Sequence, residues 1–497
     1  MGAAAWAPPG GALRGRMPLR ARPTPAAVAG WPLGLLFLVG VGWAIASGGQ
    51  GPLVVAAAAV LAVTASRLVR FERVVALLIF LSPFYFVLKQ LLPPPLNGIW
   101  WSGLIVVVFV VSALRFGVGE HSRFGIVQWL GLAFVVWGAL EVLVGPSLGY
   151  GVNGFRVLFV PLLLLFPLAQ GLRDERVATL YLRAAILGGL MVAAQCVLQF
   201  ALINGHLVGI GSWLDSGRSL YMAAHKGFAP SARFGLQRSL GPYPDPGQTG
   251  LFLAAVAAML LPVAFGPAHR RVRGARLATA WIALGLLTTL STWPMVVTLV
   301  IGALAVLIPR PAVARVDRLL LLAVILGIGA ILWKATGGPT LPRDPLLARA
   351  QSYSIQTVEQ NTSNLREALE RFDLVGGGLF VAPSRVSSSP LPEGEVSLGR
   401  AYFFLDDLVT QVGLVGILLL LLLWVAAISR SYRAIRRSSP GANVVAVITW
   451  SGLVALLAVS QHYGAPLVYG PNLLLVLLLA LSVRLERFAN TSPSSDQ

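Results

Sequence analysis

Charge is what this chain has least of. Only 11% of its 497 residues are charged, and three of the 38 Lys and Arg residues are lysines. So few charges cannot cover a water-soluble domain of this length, which excludes a soluble globular fold. Cysteine is nearly absent as well. Cys196 stands alone inside an apolar run, so it forms no intramolecular disulfide and supplies no Cys cluster for a metal. No GxxxxGK[ST], HExxH or CxxC motif and no Asp-x-Asp pair occurs. With three lysines, the first absence argues against a nucleotide-driven pump. The lack of clustered His and acidic ligands argues against a catalytic metal. No metal and no cofactor are expected. The net charge of +19 does not point to nucleic acid, because the arginines come in short clusters between apolar runs. Such clusters fix membrane orientation.

What the chain has in abundance is apolar sequence: 56% hydrophobic residues and a mean hydropathy of +0.78. A membrane-crossing helix needs about 20 apolar residues. On that basis the chain is all-α and polytopic. Its fourteen expected spans fall near 31–47, 52–66, 74–90, 99–114, 127–145, 155–170, 177–203, 247–265, 277–290, 293–309, 318–333, 406–428, 443–460 and 466–483. The pair 277–290 and 293–309 could be one helix kinked at Pro294, but together they exceed one bilayer crossing. Charge tests the count. With the N-terminus inside, the inside segments hold 24 of the 38 basic residues, while the short external gaps near 48–51, 91–98, 146–154, 291–292 and 461–465 hold none. The alternation holds at every gap only if the weak pair is two spans.

The expected organisation follows. Residues 1–30 are a disordered cytoplasmic tail and 31–203 an N-terminal transmembrane bundle. Residues 204–246 form a first external loop, 247–333 central spans, 334–405 a large external loop domain, 406–485 C-terminal spans, and 486–497 a cytoplasmic tail. Trp31–Ser47 could instead be a signal peptide cut near AIAS; the long leader and the many later spans favour a retained span. Both long external loops are rich in arginine, against the positive-inside rule, and anion binding is a reason for that. Within the second, Asn364 and Glu367 can start a helix with Leu365, Ala368, Leu369 and Phe372 on one face and Arg366 and Glu370 four apart, ended by Gly376–Gly378. The same helix could simply be a lid on the bundle. Glu141 lies a few residues inside a span, where acids are functional by default, although it could be near enough to the surface to reach water.

Four stretches resemble the O-antigen ligase and polymerase family of bacterial membrane glycosyltransferases. They are Gly154-Phe155-Arg156 with Pro161 beyond it, Arg238-Ser-Leu-Gly-Pro-Tyr-Pro-Asp-Pro-Gly-Gln248, Leu365–Phe380 with its GGGLF, and Leu405–Leu418 with Gln411, Gly413 and Gly416. The likeness covers roughly residues 74–485, and its motifs are degenerate, so their combination and order carry it. Two departures stand out. Tyr402-Phe403 occupies the place of the family's His-Asn, and Ser291-Thr292-Trp293 replaces its Ser-Arg hairpin. A polymerase-type member is therefore the better match than a ligase.

The resemblance implies a GT-C-like fold in the bacterial cytoplasmic membrane with both termini cytoplasmic. It implies an oligosaccharide donor on polyprenyl pyrophosphate, an acceptor glycan, and a chain-length regulator as a further partner besides the lipid bilayer. The sugar moves to an acceptor hydroxyl and polyprenyl pyrophosphate leaves. Fixed guanidinium groups can stabilise that leaving group without a metal. Arg156, Arg238, Arg400 and Arg366 are the expected pyrophosphate set; snorkelling toward lipid headgroups is the plainer alternative. Asp406, Asp407 and His225 are the candidates for the base. The two Asp residues would equally suit the positive end of a helix dipole, and His225 a solvated loop. A flippase of lipid-linked sugars and an inactive scaffold remain as alternatives. A flippase is expected to have two similar halves, and the late 72-residue loop has no counterpart in the first half.

Overall fold

A computed structural model describes residues 71–91, 96–116, 124–144, 148–204, 232–233, 236–243, 246–265, 274–307, 374–376, 379, 404–437, 444–460 and 471–491. Phe71–Leu81 (α1) passes through a tight turn at Ser82–Phe84 into Tyr85–Leu91 (α2), and Leu96–Phe116 (α3) follows. Ile126–Val144 (α4) precedes a bent run of three pieces, Leu148–Leu158 (α5), Val160–Leu163 (α6) and Leu165–Gly171 (α7). Then come Glu175–Asn204 (α8), Pro246–Phe265 (α9), Ala275–Thr288 (α10) and Thr292–Leu307 (α11). Phe404–Arg437 (α12), Val444–Ser460 (α13) and Pro471–Thr491 (α14) complete the described helices. The all-helical expectation meets one exception, a two-residue antiparallel pair between α8 and α9, Ala232–Arg233 (β1) against Leu236–Gln237 (β2).

Among the described residues, five helices are long and apolar enough to cross a bilayer, six if the α5–α7 run is one span bent by 45°. Their outer faces are apolar too. Trp129, Val136, Leu140 and Leu143 lie exposed on α4, Leu187, Met191 and Leu198 on α8, and Leu418, Leu422 and Val425 on α12. Stripes of large apolar side chains at helical spacing are stable against lipid and costly against water. Buried hydroxyls are satisfied within their own helices, as lipid requires: Ser112, Thr279, Ser431 and Thr449 each donate to the carbonyl four residues back.

The bundle closes around α9, whose residues Leu251 to Leu260 are all buried. A helix apolar on every side has to be covered on every side. Gly189 of α8 lies against Val256, Gly302 of α11 against Leu261, and Gly452 of α13 against Met259. These contacts also give relative directions. Gly138 abuts Phe159 and Gly151 abuts Val142, so α4 is antiparallel to the bent run. Trp137 meets Val412 and Gly125 meets Arg430, so α12 is antiparallel to α4. Asn472 reaches Leu158 and Arg484 reaches Ala169, so α14 is parallel to the bent run. Trp281 pairs with Leu190 and Gly285 with Ala193, so α8 and α10 are parallel. The alternation of basic segments requires the same relative directions.

The structure moves four boundaries, one of them at the last span, which is expected to end at 483 but continues to Thr491, into the expected tail. The gap expected at 146–154 is largely helix, because α5 begins at Leu148. The span expected at 155–170 is bent: Pro161 lacks the N–H a helical bond needs, Leu162 N–H turns to the Phe159 carbonyl, and the Leu158 carbonyl thus freed accepts Asn472 Nδ2 at 3.3 Å. The span expected to end at 428 continues to Arg437. The weak pair is two helices, separated at residues 289–291 with Leu290 at φ 48°. The spans expected at 31–47, 52–66 and 318–333, and the helix beginning at Asn364, lie outside the described residues.

Candidate functional site

The site is built where α4, α12 and the segment Leu374–Gly376 meet. α12 is broken at Gly413, whose φ of 62° and ψ of −173° suit only glycine. The break disturbs the helical ladder, and neighbours fill in. Trp137 Nε1 of α4 donates to the Val412 carbonyl at 2.8 Å. Val415 N–H donates to the Leu374 carbonyl at 3.3 Å. The segment can come this close because two glycines face each other. A Cβ on Gly413 would lie 2.5 Å from the Leu374 oxygen, and one on Gly376 would lie 2.5 Å from the Gln411 carbonyl carbon.

Glu141 fastens the same segment from α4. It stands one turn past Gly138 on the buried stripe of that helix and is 1% exposed. Its Oε1 accepts the Gly376 N–H at 3.4 Å, near the outer limit of a hydrogen bond. Its Oε2 is buried and has no hydrogen-bond partner among the described residues. Across the hairpin, the contacts at Gly138–Phe159 and Val142–Gly151 bracket Glu141 on α4 and Arg156 on α5, so both fall within one stretch of the hairpin. Arg156 is half-buried in the last turn of α5. Its Nη2 donates to Asn153 Oδ1. Its Nε is buried without a partner among the described residues. An acceptor oxygen and a donor nitrogen within one stretch of the α4–α5 hairpin thus have no partner among the described residues.

Arg238 is used differently. It is 7% exposed, with Nε on the Thr289 carbonyl at 2.8 Å and Nη2 on Ser291 Oγ at 2.7 Å. The α10–α11 hairpin, which has no arginine of its own at Ser291-Thr292-Trp293, receives this one. The residues after it are pinned as well. Ser239 N–H donates to the Thr288 carbonyl, and Gln199 Oε1 of α8 accepts from both Leu240 and Gly241 at 2.9 Å. Tyr243 lies beneath the turn against Phe86 and Phe252, and burial holds its phenol well above the ordinary range. Residues 238–243 are therefore a largely buried, hydrogen-bonded approach to α9.

Of the other expected site residues, Asp406 and Asp407 fall in the first turn of α12, about two turns before the Gly413 break. His225, Arg366 and Arg400, like Tyr402 and Phe403, lie outside the described residues. Among the described residues no group of His, Cys, Asp and Glu is arranged to hold a metal. Trp137 and Gln199 carry no signal in sequence, since each acts on a carbonyl or N–H far along the chain. Glu141 does carry one, as an acid within an apolar run. The sequence matches no protein-family model, and a search of the curated proteins finds no match to it.

Proposed function

We propose that the chain is a fourteen-span, GT-C-like membrane glycosyltransferase of the O-antigen polymerase type, working on the outer face of a bacterial cytoplasmic membrane. It takes an oligosaccharide from polyprenyl pyrophosphate and joins it to an acceptor hydroxyl of another glycan. The bond from the donor sugar's anomeric carbon to phosphate oxygen breaks, and the bond from that carbon to the acceptor oxygen forms. Polyprenyl pyrophosphate leaves with the bonding electron pair. Negative charge grows on the leaving group, and guanidinium N–H donors are suited to meet it.

The observation that carries this reading is Arg156. It is one of the four arginines expected to hold the pyrophosphate, and its Nε is buried with no partner among the described residues. Two further features support it. The relative helix directions agree with the charge alternation, which puts the Glu141 end of α4 and the Leu374–Gly376 segment on the same, external side. That segment also belongs to the long arginine-rich loop. Arg366 and Arg400 of the loop complete the pyrophosphate set in this reading, while Arg238 serves by fixing the α9 entry. Asp406, Asp407 and His225 remain candidates for the base. A flippase is the second reading. The breaks at Leu158 and Gly413 favour it, because broken helices at membrane depth are what transporters use to bind cargo.

Deleting the gene and resolving the surface polysaccharide on a gel separates the readings. Loss of a polymerase leaves single repeat units attached. Loss of a flippase leaves none, and loss of a scaffold alters amount or chain length without ending the polymer. Complementation with Arg156→Ala is expected to leave the protein in the membrane and the polymer missing. A full polymer ladder from Arg156→Ala would remove Arg156 as the donor's anchor.

A further inference from the structure

We propose that Glu141 is the proton acceptor of the transfer, taking the acceptor hydroxyl's proton on Oε2; this rests on the transferase reading above. A base must be held in place by one contact while another atom keeps its lone pair unengaged. Glu141 has that division. Oε1 is tied to the Gly376 N–H, and Oε2 is buried with no partner among the described residues. A buried oxygen without a partner costs about 1–3 kcal/mol or more, so its presence calls for a ligand that completes it. Arg156, in the same stretch of the α4–α5 hairpin, carries a buried Nε–H with no acceptor among the described residues. An anion at Arg156 and a hydroxyl at Glu141 would satisfy both groups. Those are the leaving group and the nucleophile of a glycosyl transfer from pyrophosphate.

The step balances. The acceptor O–H proton passes to Oε2 as the oxygen attacks the anomeric carbon. The carbon–phosphate oxygen bond breaks, and its electron pair stays on the pyrophosphate facing Arg156. The proton on Glu141 is then released to the departing pyrophosphate or to water, restoring the carboxylate. Glu141 is a residue of α4, which packs along α12, so the base would sit on a fixed helix, with the Leu374–Gly376 segment tied to α12 through Val415.

The test is replacement of the chromosomal allele by Glu141→Gln and Glu141→Asp, with the gene deletion alongside. The surface polysaccharide is resolved on a gel and the full-length protein is quantified in the membrane. Glutamine keeps the volume and an oxygen for the Gly376 N–H but takes up no proton. Glu141→Gln is expected at wild-type amount in the membrane with polymer reduced by about 100-fold or more. Glu141→Asp, which retains a carboxylate, is expected to keep more polymer than Glu141→Gln. A full ladder from Glu141→Gln, its loss from the membrane, or the reverse order of the two variants would each overturn the proposal and leave the transferase reading standing. A deletion that leaves the polymer unchanged would bring down the transferase reading, and Glu141 with it.

Discussion

Arg156 and Arg238 precede apolar runs in similar ways, yet the fold treats them differently. Arg238 holds the Thr289 carbonyl and Ser291 hydroxyl from a buried position, so it is part of the frame. Two hydrogen bonds to a charged donor, at about 1.5–3 kcal/mol each, set the scale for Arg238→Ala at about 3 kcal/mol or more. We expect a lower Tm in detergent for Arg238→Ala and a Tm near wild type for Arg156→Ala; equal Tm values for the two would refute the distinction. That difference was not legible in the sequence, because the partners of Arg238 lie 51 and 53 residues further on. Gly413 is the other residue that decides much. Its backbone conformation is open almost only to glycine, and the Leu374 oxygen leaves no space for a methyl group. Gly413→Ala is expected to cost about 3 kcal/mol or more, read as lost monodisperse protein on size-exclusion chromatography. A wild-type profile would show that the break in α12 is not needed.

At the scale of elements, the two broken helices were only half visible. Pro161 marks the first break in the sequence, but the start of its helix at Leu148 was missed. Gly149, Gly151 and Gly154 weaken helix propensity there, and packing against α4 overrides it. The second break was hidden, because apolar residues continue on both sides of Gly413 without a change of period. Each break is repaired from another element, Asn472 for α5 and Leu374 for α12. Asn472→Ala removes the side-chain donor to the freed Leu158 carbonyl, an interaction worth about 1 kcal/mol, and Tm should fall accordingly. Helix contacts depend on small residues as well. Gly138 lies directly under the Phe159 ring, so Gly138→Leu should push α4 and the bent run apart at a cost of about 1–3 kcal/mol. An unchanged Tm would mean that the two helices are not packed at this level.

For the whole molecule, the apolar runs made most of the helices legible, and the arginine clusters gave their order across the membrane. The helix contacts give the relative directions without any reference to charge, and the two agree. Reporter fusions test the absolute orientation: a reporter active only outside should be silent when fused at 120 or 440 and active at 146 or 390. The opposite pattern would invert the external face and with it the placing of Glu141 and Arg156. The proposed chemistry was less legible than topology, because the residues proposed for it, Glu141 and Arg156, are single residues on separate helices with no local motif. The most direct measurement uses the full chain in nanodiscs with an undecaprenyl-pyrophosphate-linked oligosaccharide and a chelator. The account predicts free undecaprenyl pyrophosphate in step with new glycosidic bonds, and neither product from Arg156→Ala. Lipid-linked donor recovered intact from the wild-type chain, with no new bond made, would contradict it.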